Sequence, residues 1–143
     1  MDSIEREIVI AAPVERVWQI ITQAPHIAGW FSETAEVDLR IGGRMVLAWK
    51  EHGTYLATVE RLEPPTVFAF RGAYRPDTEP GPGNSTVVEF TLTPEDERTR
   101  LRVVESGFST LDMSTEEQDK LRSGNVEGWR IEMDELLAYA ERE

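Results

Sequence analysis

The last part of the chain carries the clearest pattern of apolar and polar positions. Between Ser114 and Glu141, apolar side chains recur at helical spacing on one stripe: Leu121, Trp129, Met133, Leu136, Leu137 and Ala140. The run Ser114-Thr115-Glu116-Glu117 has the form of a capping box, in which the first and last residues bind each other's backbone N–H groups. The pattern predicts a long amphipathic C-terminal helix, and its apolar stripe needs a surface to cover.

The opening of the chain predicts one strand followed by two short helices. Ile4, Arg6, Ile8 and Ile10 alternate with their neighbours as in a strand with one apolar face. Pro13 suits a helix start, and the apolar spacing from Val14 predicts a helix that ends near Thr22. Pro25 to Trp30 predicts a shorter helix, which leaves Trp30-Phe31 as an exposed aromatic pair.

The middle of the chain predicts a meander of six further strands separated by turn residues. The predicted strands are Ala35–Leu39, Met45–Trp49, Thr54–Glu63, Val67–Ala73, Thr86–Thr93 and Thr99–Gly107. The segment from Tyr74 to Ser85 is rich in Pro and Gly, and is predicted to be a mobile hairpin loop. Consecutive hairpins predict a curved antiparallel sheet of about seven strands, and its one apolar face would grip the C-terminal helix. This is an α+β architecture, with room for a ligand cavity between helix and sheet.

Composition narrows the classes of partner. At 143 residues, we predict one domain over residues 1–143. There is no Cys, which excludes disulfides and thiolate zinc sites. The net charge of −12 disfavours nucleic acid and anionic membrane surfaces as partners. No apolar run reaches membrane-spanning length and the N-terminus does not resemble a signal peptide, so we expect a cytoplasmic protein.

Six motifs, in this order along the chain, resemble a known superfamily. They are Ala12-Pro13-Val14-Glu15-Arg16-Val17-Trp18, Trp30-Phe31, Asp38-Leu39-Arg40-Ile41-Gly42-Gly43-Arg44, Leu62-Glu63-Pro64-Pro65, Val104-Glu105-Ser106-Gly107-Phe108 and Gly128-Trp129. Together they resemble the START-like superfamily (SRPBCC, or helix-grip fold), and within it the branch named after the activator of the ninety-kilodalton heat-shock protein's ATPase. The resemblance implies the helix-grip fold. It implies no single function, because the superfamily contains hydrophobe carriers, polyketide cyclases, hormone receptors and the chaperone activator, and it transfers no catalytic residue.

Glu105 is the polar residue that the strand pattern singles out. Leu101 and Val103 alternate with Arg100 and Arg102, so period two places Glu105 on the inward face. A carboxylate there is costly unless it is paired or opens into a wet cavity. It would therefore orient a ligand or act as a general acid or base, or else simply bond to an Arg, a Trp indole or the backbone near the strand end.

Aromatic residues dominate the predicted inner surface, where they would line a pocket for a flat hydrophobic ligand or fill the core. With Glu105 and the helix residues, the candidate ligand-binding set is Trp30, Met45, Trp49, Tyr55, Phe68, Phe70, Phe90, Glu105, Trp129 and Met133. Tyr55 depends on an unknown strand register, as does Arg71, a further candidate. Gly124 and Gly128 each weaken the long helix by about 1 kcal/mol relative to Ala. They suggest close backbone approach, a kink, room for a ligand or local fraying.

No pattern supports a metal, nucleotide or nucleophile site. His26 and His52 are the only histidines and lie far apart in the sequence, so we predict no metal. Gly42-Gly43 lacks the helix and Lys of a phosphate loop, and the Ser residues lack an elbow motif, so we predict no cofactor and assign no catalytic residue.

Three functions follow from these patterns. The first is a small protein that binds a hydrophobic or aromatic molecule between the C-terminal helix and the sheet. The second is a protein-interaction module like the chaperone activator, although the chain lacks the extra domain of a two-site activator. The third is a cyclase or hydrolase that uses Glu105, for which no second converging polar group is evident. A monomer or a homodimer is compatible with each.

Overall fold

Seven strands and three α-helices make up residues 2–142, the part of the chain described by this computed structural model. Met1 and Glu143, which the predicted domain includes, lie outside the described residues. The strands are β1 (Ser3–Ile10), β2 (Thr34–Val37), β3 (Arg44–Trp49), β4 (Gly53–Glu63), β5 (Val67–Ala73), β6 (Ser85–Glu95) and β7 (Arg98–Ser106). The helices are α1 (Val14–Thr22), α2 (Ala24–Trp30) and α3 (Thr115–Glu141), and a 3-10 turn covers Phe108–Thr110.

The strands form one antiparallel sheet in the order β1-β7-β6-β5-β4-β3-β2. Strands β2 to β7 follow one another as hairpins, and β1 closes the order beside β7. A register shift between Val59 and Arg61 interrupts the pairing of β4 with β5, a type of irregularity that bends a strand. The α+β helix-grip architecture predicted from the sequence is confirmed.

Helix α3 lies along β1 and begins as the sequence predicts. Ser114 Oγ accepts from the backbone N–H of Glu117 at 3.1 Å, and the Glu117 carboxylate accepts from the backbone N–H of Ser114 at 3.2 Å. Arg122 Nε donates to the carbonyl of Ser3, whereas the backbone N–H of Ala11 donates to the carboxylate of Glu141. Helix and strand are therefore joined near both ends and run in the same direction.

The predicted stripe of α3 packs most tightly in its second half. Trp129, Met133, Leu136 and Ala140 are buried, whereas Leu121 and Leu137 are half-buried. The first half of the helix is more exposed, so it covers the sheet less completely. This difference leaves space between α3 and the sheet beside Trp129.

The aromatic pair after α2 is not exposed, and that expectation was wrong. Trp30 is only 5% exposed, and its indole N–H donates to the carbonyl of Ile20 at 3.0 Å. Phe31 is half-buried and stacks against Trp129 of α3, with ring centroids 6.0 Å apart. Helix α2 contacts α1, β2 and α3. These neighbours cover the aromatic pair, which the local spacing of apolar residues had placed on the solvent side.

Two strand ends also differ from the prediction. The strand predicted from Thr86 ends at Thr93, yet Pro94 pairs with Thr99 inside β6. The backbone N–H of Leu92 donates to the carbonyl of Thr66, on the side of β6 that faces β5. The backbone N of Pro94, two residues later, faces the same side but lies beyond the end of β5, where the sheet needs no donor. Strand β2 ends at Val37 because the next residues enter a tight turn. The turn brings the carbonyl oxygen of Asp38 so close to Gly43 that a Cβ there would lie 1.9 Å from it.

No helix within residues 2–142 combines the length and the apolar character needed to cross a membrane.

Candidate functional site

A cavity of about 190 Å³ lies between α3 and the inner face of the sheet. Five elements and the residue after α2 contribute to its wall. The lining residues are Phe31, Tyr55, Phe70, Val88, Glu105, Asn125, Gly128, Trp129 and Glu132. Its position is the one predicted for a ligand in a helix-grip fold.

Glu105 lies at the inner wall of this cavity and is 7% exposed. Thr86 Oγ1 donates to its Oε2 at 2.6 Å, and Trp129 Nε1 donates to its Oε1 at 2.9 Å. Asn125 Nδ2 contacts both oxygens, at 3.2 and 3.3 Å. Donors from two elements thus hold the buried carboxylate in place, as its desolvation requires.

Strand register explains how Glu105 acquires these partners. The alternation along β7 turns Leu101, Val103 and Glu105 inward, as predicted from period two. Glu105 pairs with Val88 across the β6–β7 ladder, so Thr86, two residues away on β6, shares the same face and lies diagonally opposite. Alternation in the sequence predicts that Glu105 points inward, whereas its bond to the Thr86 hydroxyl depends on the register of β6 and β7.

Four residues of α3 face the cavity at helical spacing. Asn125, Gly128, Trp129 and Glu132 stand at i, i+3, i+4 and i+7, which places them on one stripe. Asn125 and Glu132 are absent from the predicted ligand-binding set, because that set followed the apolar positions of the helix. The signal was available: two polar residues and a glycine interrupt a stripe that would otherwise be apolar.

Aromatic rings form most of the remaining wall. Phe31 stacks on Trp129 with an interplanar angle of 9°. Phe90 contacts Trp129 edge-on, with ring centroids 5.9 Å apart. Tyr55 contacts Phe70 edge-on, with centroids 6.2 Å apart. Such a wall offers both ring faces and ring edges to a bound molecule.

Tyr55 depends on a glycine for its position. A Cβ placed on Gly72 would lie 1.8 Å from the Tyr55 hydroxyl oxygen, so only glycine admits the phenol there. Burial, together with the charge of Glu105, raises the pKa of Tyr55 above its ordinary value. The phenol therefore stays protonated and is available as a hydrogen-bond donor.

Glu132 is the second carboxyl group of the cavity. It is half-buried, and burial with a smaller effect of Glu135 raises its pKa from 4.5 to about 7. No Lys or Arg within residues 2–142 forms an ion pair with it. This group exchanges its proton close to neutral pH and has lone pairs free for a ligand.

Replacing Glu132 tests its environment directly. The folded state holds the Glu132 proton more tightly than the unfolded state, so ionisation costs stability as pH rises from about 4.5 through about 7. We expect Glu132→Gln, which cannot ionise, to raise the free energy of unfolding. The gain should be larger at about pH 8.5 than at about pH 5.5 by about 1–2 kcal/mol, after solvent screening is allowed for. Urea denaturation at the two pH values measures this difference.

Asp134→Asn is the matched control, since Asp134 is exposed on the same helix and pairs only loosely with Arg130, at 3.6 Å. Its effect should be small and similar at both pH values. Equal gains from Glu132→Gln at the two pH values would show that the Glu132 carboxyl is not shifted.

The ten residues predicted to bind a ligand occupy four different places. Tyr55, Phe70, Glu105 and Trp129 line the cavity. Trp30, Met45 and Phe90 surround a gap of about 10 Å³ beside Phe70. The remaining three do not reach the main cavity: Trp49 lines a second cavity of about 160 Å³ that shares Tyr55, and Phe68 and Met133 are buried in the core. Arg71, the further candidate, binds Glu60 at 2.8 Å outside the cavity.

The two glycines of α3 differ in their surroundings. A Cβ at Gly124 or Gly128 would meet nothing within 4 Å, so close backbone approach is not the reason for either. The helix is continuous through both, so local fraying is also wrong. Gly128 lines the cavity, whereas Gly124 does not.

The histidines do not converge on a metal-ligand set. His26 Nδ1 and the Tyr139 hydroxyl lie 2.8 Å apart, which ties α2 to α3. Among residues 2–142, no group of three or more metal-ligating side chains comes together.

Comparison with known proteins agrees with this architecture. The family model described as "Activator of Hsp90 ATPase homolog 1-like protein" matches residues 11–141. No curated protein sequence matches the chain significantly.

Solved structures resemble the chain over nearly its full length. Protein MLL2253 from Mesorhizobium loti superposes with a TM-score of 0.81 at 24% identity, covering 98% of this chain and 97% of that chain. CalU16 from Micromonospora echinospora gives 0.70 at 25% identity, with 96% and 75% covered. The Aha1 dimer from Colwellia psychrerythraea gives 0.75 at 19% identity, with 99% and 97% covered. Since the family model spans all but the first strand and the last residues, this chain belongs to the Activator of Hsp90 ATPase homolog 1-like family, within the START-like superfamily.

Proposed function

We propose that this protein binds a small hydrophobic or aromatic molecule in the cavity between α3 and the sheet. The observation that supports the proposal is the wall itself: aromatic rings surround two carboxyl groups, and one of these, Glu105, is held in position by three donors. Binding sites of this kind combine apolar walls with a few fixed polar groups. The family includes such binding modules as well as interaction modules, and the cavity favours the first.

The volume limits the ligand. A dry apolar cavity of about 150 Å³ holds benzene, and the present cavity measures about 190 Å³. A single ring with a short substituent fits this space. Tyr55 lines both this cavity and the second one of about 160 Å³, so a movement of its ring is one way to make room for a longer molecule.

Protein contact is the second candidate, favoured by one exposed apolar segment. Leu39 and Ile41, in the turn between β2 and β3, are 40% and 62% exposed. A contiguous exposed apolar patch marks a contact surface, and these two side chains are the candidates for one on this turn. Neither residue lines the cavity, so substitution there separates the two candidates: Ile41→Asp should leave small-molecule binding unchanged.

The first experiment is native mass spectrometry of the purified protein, followed by thermal shift with single-ring compounds. A ligand at a hundredfold excess over its Kd stabilises the folded state by about 2.7 kcal/mol. A co-purified mass or a clear shift supports the binding function. Absence of both across the panel would contradict it and leave protein contact as the function to pursue.

A pair of glycine variants shows whether any ligand occupies this cavity. We expect Gly128→Phe to abolish the thermal shift, since its ring enters open space on the cavity wall. Gly124→Phe also replaces a helical glycine with open surroundings, but away from the cavity, so it should retain the shift. Both changes improve helix propensity by a few tenths of a kcal/mol, which keeps folding comparable. Loss of binding in both variants, or in neither, would exclude this cavity as the site.

A further inference from the structure

We propose that the ligand carries a basic nitrogen, whose cationic head binds the Glu132 carboxylate while its apolar body contacts the aromatic wall. This inference rests on the proposed function and adds the chemical class of the ligand, an arylalkyl or short aliphatic amine that is protonated near neutral pH.

The charges around the cavity support a cation. Two carboxyl groups, Glu105 and Glu132, line it, and none of its lining residues is Lys or Arg. Glu105 is engaged by Thr86, Asn125 and Trp129, all of them neutral donors, so its negative charge is solvated but not neutralised. An anionic ligand would meet repulsion from both carboxylates in a site of low dielectric constant.

Glu132 is the group positioned to receive the cation. Its oxygens have no ion-pair partner within the described residues, and it lines the cavity from the same helical stripe as Trp129. The inner oxygens of Glu105 are already taken by donors. A ligand ammonium would therefore complete the hydrogen bonding of Glu132 and form a partly desolvated ion pair.

The aromatic wall favours the same charge. Ring faces carry negative quadrupole density, and a cation within about 6 Å of a ring centroid gains roughly 0.5–2 kcal/mol. Phe31, Trp129, Tyr55 and Phe70 surround the space beside the two carboxyl groups. The net charge of −12 also raises the local concentration of cations around the protein.

Binding is expected to depend on pH through Glu132. The titratable groups that face it are Glu135 on α3, Glu105 on β7 and Tyr55 on β4, while the other elements of the wall contribute the uncharged Phe31, Phe70 and Val88. Burial, with a smaller effect of the Glu135 charge, opposes ionisation of Glu132 until a cation arrives. Since its pKa lies at about 7, amine binding should weaken as pH falls below about 7, because the carboxyl must first lose its proton.

The test compares three single-ring probes of similar size: benzylamine, benzyl alcohol and benzoate, each titrated by isothermal calorimetry at about pH 8. We expect benzylamine to bind at least about tenfold more tightly than benzyl alcohol, and benzoate to bind most weakly. Glu132→Gln should remove this preference, and Asp134→Asn, which deletes one exposed charge of the same helix, should retain it. Gly128→Phe should abolish benzylamine binding, which separates the cavity from general attraction to an acidic surface.

The outcomes distinguish the two proposals. If all three probes bind equally, or the neutral and anionic probes bind better, the inference about charge is overturned while small-molecule binding stands. An unchanged amine preference in Glu132→Gln, or amine binding that survives Gly128→Phe, also overturns it. If none of the probes binds the wild-type protein, the proposed function and this inference both fail for single-ring ligands.

Discussion

Glu105→Ala should lower the free energy of unfolding by about 3–5 kcal/mol, because it leaves buried donors without an acceptor. The Trp129 indole N–H, the Thr86 hydroxyl and the Asn125 amide all point at this carboxylate. Trp129 and Thr86 are themselves buried, so their donors need an acceptor inside the fold. Urea denaturation with linear extrapolation measures the change.

Glu89→Ala is the matched control for this substitution. Glu89 lies on β6 next to the same ladder, but it pairs with Arg61 at 2.8 Å on the exposed face of the sheet. A surface ion pair of this kind contributes at most about 1 kcal/mol. Glu105→Gln keeps the shape of the side chain but turns an NH₂ group toward a donor, so it should lower the free energy of unfolding by an intermediate amount. If Glu105→Ala cost no more than Glu89→Ala, the hydrogen-bond cluster would not hold in solution.

Trp129→Ala should also lower the free energy of unfolding by about 3–5 kcal/mol, since a large buried ring is removed. Trp129 is 7% exposed, stacks on Phe31 and meets the edge of Phe90. Its loss joins the cavity to the space the ring occupied and deprives Glu105 of one donor. The same urea titration measures this effect, and probe binding in the enlarged cavity should lose its discrimination by size.

Trp129→Phe separates packing from hydrogen bonding. Phenylalanine restores most of the ring but has no N–H, so we expect a loss of only about 1–3 kcal/mol. Because Glu105 and Trp129 share one hydrogen bond at 2.9 Å, the double variant Glu105→Ala/Trp129→Ala should lose less stability than the sum of the single variants. Strict additivity would argue against a direct bond between the two side chains.

These two predictions concern a cluster that was only partly visible in the sequence. Period-two alternation along 101–105 identified Glu105 as an inward carboxylate, and the Trp indole was among its possible partners. The choice of Thr86 followed from the β6–β7 register, which alternation within one strand does not contain. Asn125 reaches Glu105 because of the rotation of α3 about its axis, and only packing of the helix against the sheet decides that rotation.

Glu132 and Phe31 illustrate the same division. Glu132 lies seven residues after Asn125, so their common face is implied by helix geometry alone. Whether that face meets solvent or a cavity depends on how much of α3 the sheet covers. Here Glu132 is half-buried at the cavity wall, and that burial is what mainly raises its pKa. Phe31 follows α2 at a position that local spacing leaves open, and the approach of α3 buries it.

The sequence by itself determined the order of the elements, the capping box of α3, the antiparallel sheet, the inward direction of Glu105 and the superfamily. The first four depend on local spacing, turn chemistry or alternation, which short stretches of chain contain completely. The superfamily was indicated by the resemblance of six motifs to known members, and the family model matches residues 11–141. Only the tertiary structure decided which aromatic rings line the cavity, which donors reach Glu105 and which carboxyl group keeps free lone pairs. Those facts depend on strand register and on the seating of α3 against the sheet, because contacts between distant segments exist only once the whole chain has packed.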